Sequence, residues 1–416
     1  VYDLFDGVKS VDEILEYEGI MMRDPTGFLQ KEYQELVDKA LDWRLKELQG
    51  ASEPVTMVDG REVLVLCANN YLGLATHPKL KQAALEAIEK YGVGSGAVRA
   101  ISGNMDVHME LEERLAKFKK AEASLTYPTG FMANSGLIPQ LVDKGDLIIS
   151  DELNHGSIID GVRLSRADRA VYKHNNMDDL AEKLEEAEKN NPRRILIITD
   201  GVFSMDGDMA RLDEVVKHGK KHGAMIYVDD AHGEGVLGKG GRVIVSHFNL
   251  THKDVQVEMG TFSKAYGTIG GHISGSDSLV KFAYNKSRTW LLSSSHPPAI
   301  AASTIAAIDV LENEPQHVDN LWKNTEHFKK AMIDLGFNTG NSQTPIIPVI
   351  VGESHKAKSL ADELYKAGVY VVPIVFPMVA RDLSRIRVQM HAKLTKTQLD
   401  DVIGKIETIG KKLDII

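Results

Sequence analysis

The sequence predicts an α/β protein with a mostly parallel sheet flanked by helices, followed by a smaller C-terminal α+β domain. Two observations lead to this fold class. Through the middle of the chain, short apolar segments alternate with helical patterns, as they do in parallel sheets whose crossovers are helices. From about Pro297 this alternation gives way to two long helical patterns and then to a mixture of short strands and helices.

The N-terminal part of the chain is predicted to form one amphipathic helix and one hairpin. Apolar residues recur at helical spacing over residues 28–48. Two β segments, 55–58 and 62–66, flank the dipeptide Asp59-Gly60, which is a strong hairpin signal. We therefore divide the chain into an N-terminal helix and hairpin segment (1–65), a large domain (66–298) and a small domain (299–416).

The elements that follow are assigned in chain order. The predicted strands of the large domain cover residues 124–127, 147–150, 169–172, 195–199, 225–228 and 257–259. Helices are predicted between them at 131–142, 157–164, 177–189 and 212–222. The small domain is predicted to hold helices at 299–311, 318–335, 357–367 and 396–413, and strands at 346–351, 369–372 and 386–389. Ligands of parallel sheets bind at the carboxyl ends of the strands, so the residues that follow each strand are the first candidates for a site.

Composition and charge narrow the classes of function. The chain has 416 residues, of which 43% are apolar, and this is ordinary globular composition. Its 49 basic and 59 acidic residues give a formal charge of −10, which disfavours non-specific binding to nucleic acid. The single cysteine, Cys67, allows no intramolecular disulfide. Neither a signal peptide nor a membrane-spanning run is recognised, so we expect a cytoplasmic protein without membrane or nucleic-acid partners.

One lysine stands in an unusual setting. Lys264 lies in a glycine-rich loop after a short apolar run, and its small neighbours leave room for a bulky ligand. Asp229 follows the predicted strand 225–228. A lysine amine and a carboxylate at strand ends are what pyridoxal 5'-phosphate (PLP) chemistry requires, since the amine bonds to the cofactor and the carboxylate keeps the pyridine nitrogen protonated. A lone lysine is usually a solvated surface charge, so the prediction depends on the combination.

Three more side chains follow strands and favour the same site. His155 is placed to stack on an aromatic cofactor, and Ser204 and His232 are placed to contact its ring oxygen. Each also has a structural interpretation: a helix cap near His155, a simple turn near Ser204 and a hydrogen-bonded core histidine at 232. Their joint occurrence at strand ends favours the cofactor site.

Candidate residues are also found for binding a phosphate group and a substrate carboxylate. Thr129, Gly130 and Phe131 lie between a strand and a helix, where backbone N–H groups bind phosphate. Arg387 offers a planar guanidinium suited to a substrate carboxylate, with Arg385 as the alternative.

Two other ligand classes are rejected. The glycine-rich stretch 92–96 follows a helical pattern rather than a strand, so a nicotinamide cofactor is not predicted. His155, His232 and Asp229 have no supporting His-Glu helix motif or cysteine cluster, so no metal is predicted.

Taken together, the motifs resemble those of the α-oxoamine synthases, which are PLP-dependent enzymes of fold type I that condense an amino acid with an acyl-CoA. The matching segments are 68–74, 151–157, 199–207, 228–235, 261–271 and 385–387, and the resemblance extends from about residue 30 to the end. Segment 154–164 resembles the glycine C-acetyltransferase branch most, and the 8-amino-7-oxononanoate synthase branch is next. The expected activity is therefore acyl transfer from an acyl-CoA, first acetyl-CoA, to an amino acid, first glycine. The alternative is the transfer of a pimeloyl group to alanine.

The resemblance implies a role for each candidate. Lys264 would bind the cofactor and transfer protons, with Asp229, His155 and His232 as the other catalytic residues. The implied cofactor contacts are Thr129, Gly130, Phe131, His155, Ser204, Asp229, His232, Thr261, Lys264 and Ser293. Ser293 would reach the cofactor of a neighbouring subunit, which implies a homodimer with shared sites. Asn69 and Arg387 would hold the amino acid carboxylate.

The sequence departs from the family pattern in one place. The family usually shows Ser-Ala-x-His-Thr shortly after the arginine, and residues 391–395 read His-Ala-Lys-Leu-Thr. This change leaves open which amino acid and acyl chain are preferred. Two further functions fit the same fold, namely transamination and the role of a non-catalytic partner subunit. The presence of Lys264, Asp229 and His155 argues against a non-catalytic subunit.

Overall fold

The computed structural model describes residues 24–39, 41–43 and 45–416. They fall into two compact units, Val1–Glu47 and Leu48–Ile416. The described part of the first unit contains helix α1 (Gly27–Asp38). The expectation of one helix over 28–48 is therefore wrong in its second half. At the far end of that range Leu48 forms a β-bridge with Val58, which takes it into the pairing of the hairpin instead of a helix.

The hairpin is formed by β1 (Val55–Val58) and β2 (Arg61–Val65), which pair antiparallel. Asp59 and Gly60 both have positive φ angles, 47° and 74°. Two consecutive positive φ angles match the right-handed twist of the flanking strands, and Asp-Gly adopts them readily. The predicted hairpin is thus confirmed.

A seven-stranded sheet forms the centre of the second unit. Its strands are β3 (Ala123–Tyr127), β4 (Leu147–Asp151), β5 (Asp168–Tyr172), β6 (Ile195–Asp200), β7 (Met225–Asp229), β8 (Val257–Thr261) and β9 (Gly271–Gly275). Their order is β3-β9-β8-β7-β6-β4-β5, and only β9 runs antiparallel to its neighbours. All residues of β6 and β8 are buried, as expected for parallel strands covered on both faces. The predicted mostly parallel sheet is confirmed.

Strand β9 is absent from the sequence-based assignment. Its sequence, Gly-His-Ile-Ser-Gly, contains a single large apolar residue and gives no strand signal. The structure buries it completely because its polar side chains find partners on either side. Ser274 Oγ lies 2.7 Å from Ser124 Oγ, and His272 Nε2 lies 2.7 Å from Glu234 Oε1.

Helices cover both faces of this sheet. They are α2 (Pro78–Tyr91), α3 (Asp106–Lys119), α4 (Gly130–Leu141), α5 (Gly156–Arg163), α6 (Met177–Asn190), α7 (Leu212–His222), α8 (Ile244–His247), α9 (Asp277–Lys286) and α10 (Arg288–Leu291). Among the described residues, no helix combines the length and the apolar character needed to cross a membrane.

The C-terminal part contains long helices and a small antiparallel sheet. Its elements are α11 (Pro298–Asn313), α12 (Gln316–Asp334), β10 (Ile346–Gly352), α13 (Ser354–Lys366), β11 (Val369–Tyr370), β12 (Pro373–Ile374), β13 (Ser384–Gln389) and α14 (Lys396–Lys412). Strands β10, β13 and β12 form one sheet, whereas β11 pairs with β2 of the hairpin. The predicted strand 369–372 is therefore confirmed only at 369–370, and the next strand, β12, begins at Pro373 in a different sheet. The domain limits at residues 65 and 298 stay a prediction.

Candidate active site

A cavity of about 180 Å³ lies where the loops after several strands of the central sheet meet. Its lining includes most of the site residues that the sequence predicts: Thr129, Gly130, Phe131, His155, Ser204, Asp229, His232, Thr261 and Lys264. It also includes residues that the sequence analysis did not select: Ser157, Asp200, Val202, Ala231, Met259 and Ser263. The parallel strands bring these side chains together because their carboxyl ends share one edge of the sheet.

Lys264 reaches the cavity from a tight loop between β8 and β9. Thr268 N–H donates to Phe262 O and Phe262 N–H donates to Gly270 O, both at 3.0 Å, and these bonds close the loop. Gly267 has φ 71°, and a Cβ there would lie 2.3 Å from Ala75 N, so the loop needs glycine at this position. Burial lowers the pKa of the Lys264 amine, and the attraction of Asp229 only partly offsets this.

Asp229 ends β7 and is held by two donors. Asn134 Nδ2 donates to Asp229 Oδ2 at 2.7 Å, and Ala231 N–H donates to Oδ1 at 3.0 Å. Asn134 is itself fixed, because Tyr227 O–H donates to its Oδ1 at 2.8 Å and its Nδ2 also reaches Ser157 Oγ at 2.9 Å. The carboxylate is therefore oriented by a buried network.

His155 begins α5 beside that network. Ser157 N–H donates to His155 Nδ1 at 3.2 Å, so the ring proton belongs on Nε2. His155 N–H donates to Asp200 Oδ2 at 3.1 Å. Although the residue is open to the cavity, desolvation lowers the pKa of its imidazole. Burial, with the repulsion of Asp229 and Asp151, raises the pKa of Asp200 well above its ordinary range.

His232 lines the same cavity and contacts a tyrosine. Tyr71 O–H lies 2.8 Å from His232 Nδ1. Burial lowers the pKa of His232 well below its ordinary value, and the nearby basic side chains of Lys264 and Arg387 add to the effect. A neutral imidazole that accepts from Tyr71 at Nδ1 carries its proton on Nε2.

The start of α4 lies at one end of the cavity. Thr129 caps the helix, with its Oγ1 accepting from Met132 N–H at 3.1 Å. The first N–H groups of a helix have no intrahelical acceptor, so the N–H groups that follow Thr129 are available to an anion. A Cβ on Gly271 would lie 2.5 Å from Gly130 Cα. Glycine at 271 thus allows β9 to pass directly behind this helix end.

Arg387 and Asn69 do not line the cavity, and both contact Gln389. The side-chain amide of Gln389 is oriented so that it bonds to both Arg387 and Cys67. Its Oε1 accepts from Arg387 Nη2 at 3.0 Å, and its Nε2 donates to Cys67 O at 2.8 Å. Gln389 also contacts Asn69 and Tyr71. Arg387 Nε is buried and has no hydrogen-bond partner among the described residues. This guanidinium therefore retains a donor for a ligand, whereas Arg385, the alternative, pairs with Asp206 at 2.6 Å.

Ser293 stands apart from the other predicted residues. It is half-buried, and its Oγ lies 3.9 Å from Met132 Sδ rather than in the cavity lining.

Besides the lining residues Ser157, Val202, Ala231, Met259 and Ser263, the sequence analysis missed four polar residues that contact or approach the predicted site residues: Tyr71, Asn134, Asp200 and Gln389. Tyr71 and Asp200 stand inside the segments 68–74 and 199–207 that carry the resemblance, so their motifs were the available signal. Gln389 lies inside a strand between Val388 and Met390, and a polar residue flanked by apolar ones was the signal there. Asn134 lies inside a helix next to Ser135, and its neighbours gave no such signal.

Known proteins share this fold and sequence. The family described as Aminotransferase class I and II matches residues 61–406. The chain is 51% identical to the 8-amino-7-oxononanoate synthase of Symbiobacterium thermophilum, over 94% of this chain and 99% of that protein. For the enzyme of that name from Thermoanaerobacter pseudethanolicus the identity is 49%, over 94% and 98%. The solved structure of an S. paucimobilis serine palmitoyltransferase with a bound PLP–myriocin adduct has a TM-score of 0.88 and 29% identity, over 95% of this chain and 100% of that one.

The chain therefore belongs to the class I and II aminotransferase family of PLP-dependent, fold-type-I transferases, and within it to the α-oxoamine synthases. The fold class and the cofactor that the sequence predicts are confirmed. The curated relatives favour the 8-amino-7-oxononanoate synthase branch over the glycine C-acetyltransferase branch that segment 154–164 indicates.

Proposed function

We propose that this protein condenses alanine with a pimeloyl thioester to give 8-amino-7-oxononanoate. The observation that carries the proposal is the identity of 48–51% to three relatives with that product in their name, over 98–99% of their length. In this reaction a carbon–carbon bond forms between alanine Cα and the thioester carbonyl carbon. The carbon–sulfur bond of the thioester breaks, the thiol leaves, and the alanine carboxylate is lost as CO₂.

The residues of the cavity fit PLP. A lysine amine, a carboxylate held by two donors, an imidazole face and a helix N-terminus surround one space, and these groups match an aldehyde, a pyridine nitrogen, a ring and a phosphate. When bound, PLP supplies an electron-withdrawing ring that stabilises negative charge at the amino acid Cα. We assign the aldehyde to Lys264, the pyridine nitrogen to Asp229 and the phosphate to Thr129, Gly130 and Thr261.

Proton transfer is assigned to Lys264. A base must be neutral, and burial favours the neutral amine because it disfavours the charged form. The amine released from the cofactor is then able to accept the Cα proton of alanine. The pKa values of His155 and His232 are also lowered, which makes these imidazoles weaker bases. They therefore do not compete with Lys264 for this proton.

Two hydrogen-bond networks orient the remaining groups. Ser157 N–H fixes the His155 ring, whose face is assigned to the cofactor ring. Tyr71 leaves the proton of His232 on Nε2, where it can be donated to the ring oxygen together with the hydroxyl of Ser204. These contacts hold the reacting groups in one geometry, and such positioning lowers the barrier to a condensation of two substrates.

The alanine carboxylate is assigned to Arg387 and Asn69. Arg387 Nε is buried without a partner among the described residues, and a buried unpaired donor is costly unless a ligand uses it. Gln389 holds the guanidinium by its other side. Arg387→Lys keeps the charge but loses the planar pair of donors, so we expect the KM for alanine to rise by about tenfold or more.

Thiol release tests the proposed function. The PLP-loaded protein is mixed with alanine, glycine or serine, each with a pimeloyl thioester, acetyl-CoA or palmitoyl-CoA. The proposal predicts fast release with alanine and the pimeloyl thioester. Fast release only with glycine and acetyl-CoA would instead place the protein in the glycine C-acetyltransferase branch. Release with none of the pairs, together with keto-acid formation from the amino acids, would indicate transamination and overturn the proposal.

We also propose that the protein works as a homodimer. The exposed apolar side chains include Val93, Ile101 and Leu292, which are 78%, 83% and 70% exposed, and Leu292 directly precedes Ser293. Burying these side chains against a second copy would remove them from water and carry Ser293 towards the cofactor of that copy. Light scattering on the PLP-loaded protein measures the mass, and a monomer at working concentration would contradict this proposal.

A further inference from the structure

One polar cluster outside the cavity contains the side chains of a metal site. His77 precedes α2 and caps it, Glu314 follows α11, and His317 lies in the first turn of α12. Within the described residues, one ligand atom from each of His77, Glu314 and His317 lies within 4.8 Å of the other two. None of the three residues lines the cavity of the active site.

The spacing of these atoms matches that of metal ligands, although His317 Nε2 and Glu314 Oε2 are also within reach of one long hydrogen bond. Glu314 Oε2 lies 3.5 Å from His77 Nε2 and 3.3 Å from His317 Nε2. A charge-assisted hydrogen bond between such groups is about 2.7–2.9 Å long. Nitrogen and oxygen ligands at ~2.0–2.1 Å from a tetrahedral Zn²⁺ lie roughly 3.4 Å apart. The two measured distances bracket this value.

The surroundings orient the carboxylate. Lys79 Nζ holds Glu314 Oε1 at 2.7 Å, which leaves Oε2 directed at the two imidazoles. Gln316 Nε2 lies 3.5 Å from Oε2, at the limit of a hydrogen bond. The side chains of His77, Glu314 and His317 are 13%, 21% and 18% exposed, so an ion from solvent can reach them.

We propose that His77, Glu314 and His317 bind one Zn²⁺, with water in the fourth position. Two imidazoles and one carboxylate select zinc over magnesium or calcium, which prefer oxygen ligands. Binding has a local cost: His77 Nδ1 must carry the ring proton and give up its 3.3 Å bond from Lys79 N–H. The ion would join the start of α2 to the junction of α11 and α12, which is a structural role and does not depend on the proposed reaction.

The sequence analysis predicts no metal because it considered only the strand-end residues. Glu314 and His317 form a Glu-x-x-His pair across the turn between α11 and α12, where His317 N–H donates to Glu314 O at 3.3 Å. The third ligand comes from a distant part of the chain. Only the packing of α2 along α11 brings His77 to this pair.

Calorimetric titration of the PLP-loaded protein with Zn²⁺ tests the proposal. Wild type and His327→Ala should each bind one ion per chain, since His327 lies on the same helix but pairs with Asp400. His77→Ala and His317→Ala should each weaken binding by ~10–100-fold or more, and added Zn²⁺ should raise the Tm of wild type and of His327→Ala but not of these two variants.

A second measurement covers variants that fail to fold. Co²⁺ added to the wild-type protein should give the intense visible absorption of a four-coordinate ion, and Zn²⁺ should displace it. No binding by wild type, or binding that both histidine variants retain at full affinity, would overturn the assignment. Co²⁺ absorption typical of six-coordinate ions would overturn the tetrahedral geometry.

Discussion

The pKa values of two buried lysines shift in opposite directions, and on our account the two lysines differ in role. Lys119 is fully buried at the end of α3, between Glu234 and Glu258, and contacts both carboxylates. Lys264 lines the cavity, and no carboxylate lies within 4.0 Å of its amine among the described residues. Burial lowers the pKa of both, but at Lys119 the two carboxylates overcome this and raise the pKa above its ordinary value.

The difference shows how one side chain serves structure in one place and chemistry in another. A lysine in direct contact with two carboxylates stays charged and holds its surroundings together. His272 and Lys119 hold the pKa of Glu234 at about 2, against the effect of burial. Glu234 in turn accepts from Thr261 N–H at 3.0 Å, so this ion cluster supports the loop from which Lys264 projects. Lys264, without such a contact, is available as a neutral amine.

Removal of Lys264 should have the largest effect on activity and little on folding. We expect Lys264→Ala to abolish thiol release, because neither cofactor attachment nor Cα proton transfer has another amine in the cavity lining. The circular dichroism spectrum should be unchanged. Lys281→Ala, which removes an exposed lysine paired with Asp277, is the matched control and should keep full activity. Near-normal thiol release by Lys264→Ala would contradict the role of this residue.

Removal of Lys119, in contrast to removal of Lys264, should mainly lower the stability of the fold. Lys119→Met leaves Glu234 and Glu258 buried without their cation, so we expect the free energy of unfolding to fall by about 3–5 kcal/mol. Adding Glu258→Gln should restore part of the loss, since it removes one of the two unpaired charges. Urea unfolding of both variants without PLP measures this. Equal stability of Lys119→Met and wild type would show that the cluster contributes nothing.

His174, which is less buried than Lys119, is a third cation held by two carboxylates. His174 lies between Asp151 and Asp208, at 3.0 and 2.8 Å, and although burial opposes it, these hydrogen bonds raise its pKa to about 10. A raised pKa stabilises the fold fully below the ordinary value of 6.5, and the contribution is lost as the pH rises through about 10.

His174→Gln should therefore be destabilising by roughly 2–3 kcal/mol at pH 6 and by much less above pH 10. Urea unfolding of wild type and variant at both pH values gives the difference that isolates this residue. A difference that is constant across the range would mean that His174 is not charged in the folded protein.

Much of the fold was predictable because its signals are local. The parallel strands are apolar runs bounded by turns, and Asp59-Gly60 determines the hairpin. Strand β9 was not predictable, since its sequence has strand character only when Ser124 and Glu234 satisfy its polar side chains. The end of α1 was missed for a similar reason, because the pairing of Leu48 with Val58 is a tertiary contact.

The residues of the candidate site also divide into those that local signals predict and those that depend on tertiary contacts. Residues that directly follow strands, such as Asp229 and His155, were found because strand ends converge in any parallel sheet. Asn134, which holds Asp229 from inside α4, depends on the packing of that helix against β7 and has no such rule. The choice between branches of the family was also beyond the motifs, since substrate preference depends on the shape of a pocket rather than on the shared chemistry.

Reductive trapping of PLP tests most directly that Lys264 bonds to the cofactor and that Lys119 has a structural role. The PLP-loaded protein is treated with borohydride, digested and mapped by mass spectrometry. Our account predicts the pyridoxyl group on the peptide that contains Lys264, with Lys119 and the exposed Lys281 unmodified. A pyridoxyl group on any other lysine, or no stable modification while the protein retains activity, would contradict it.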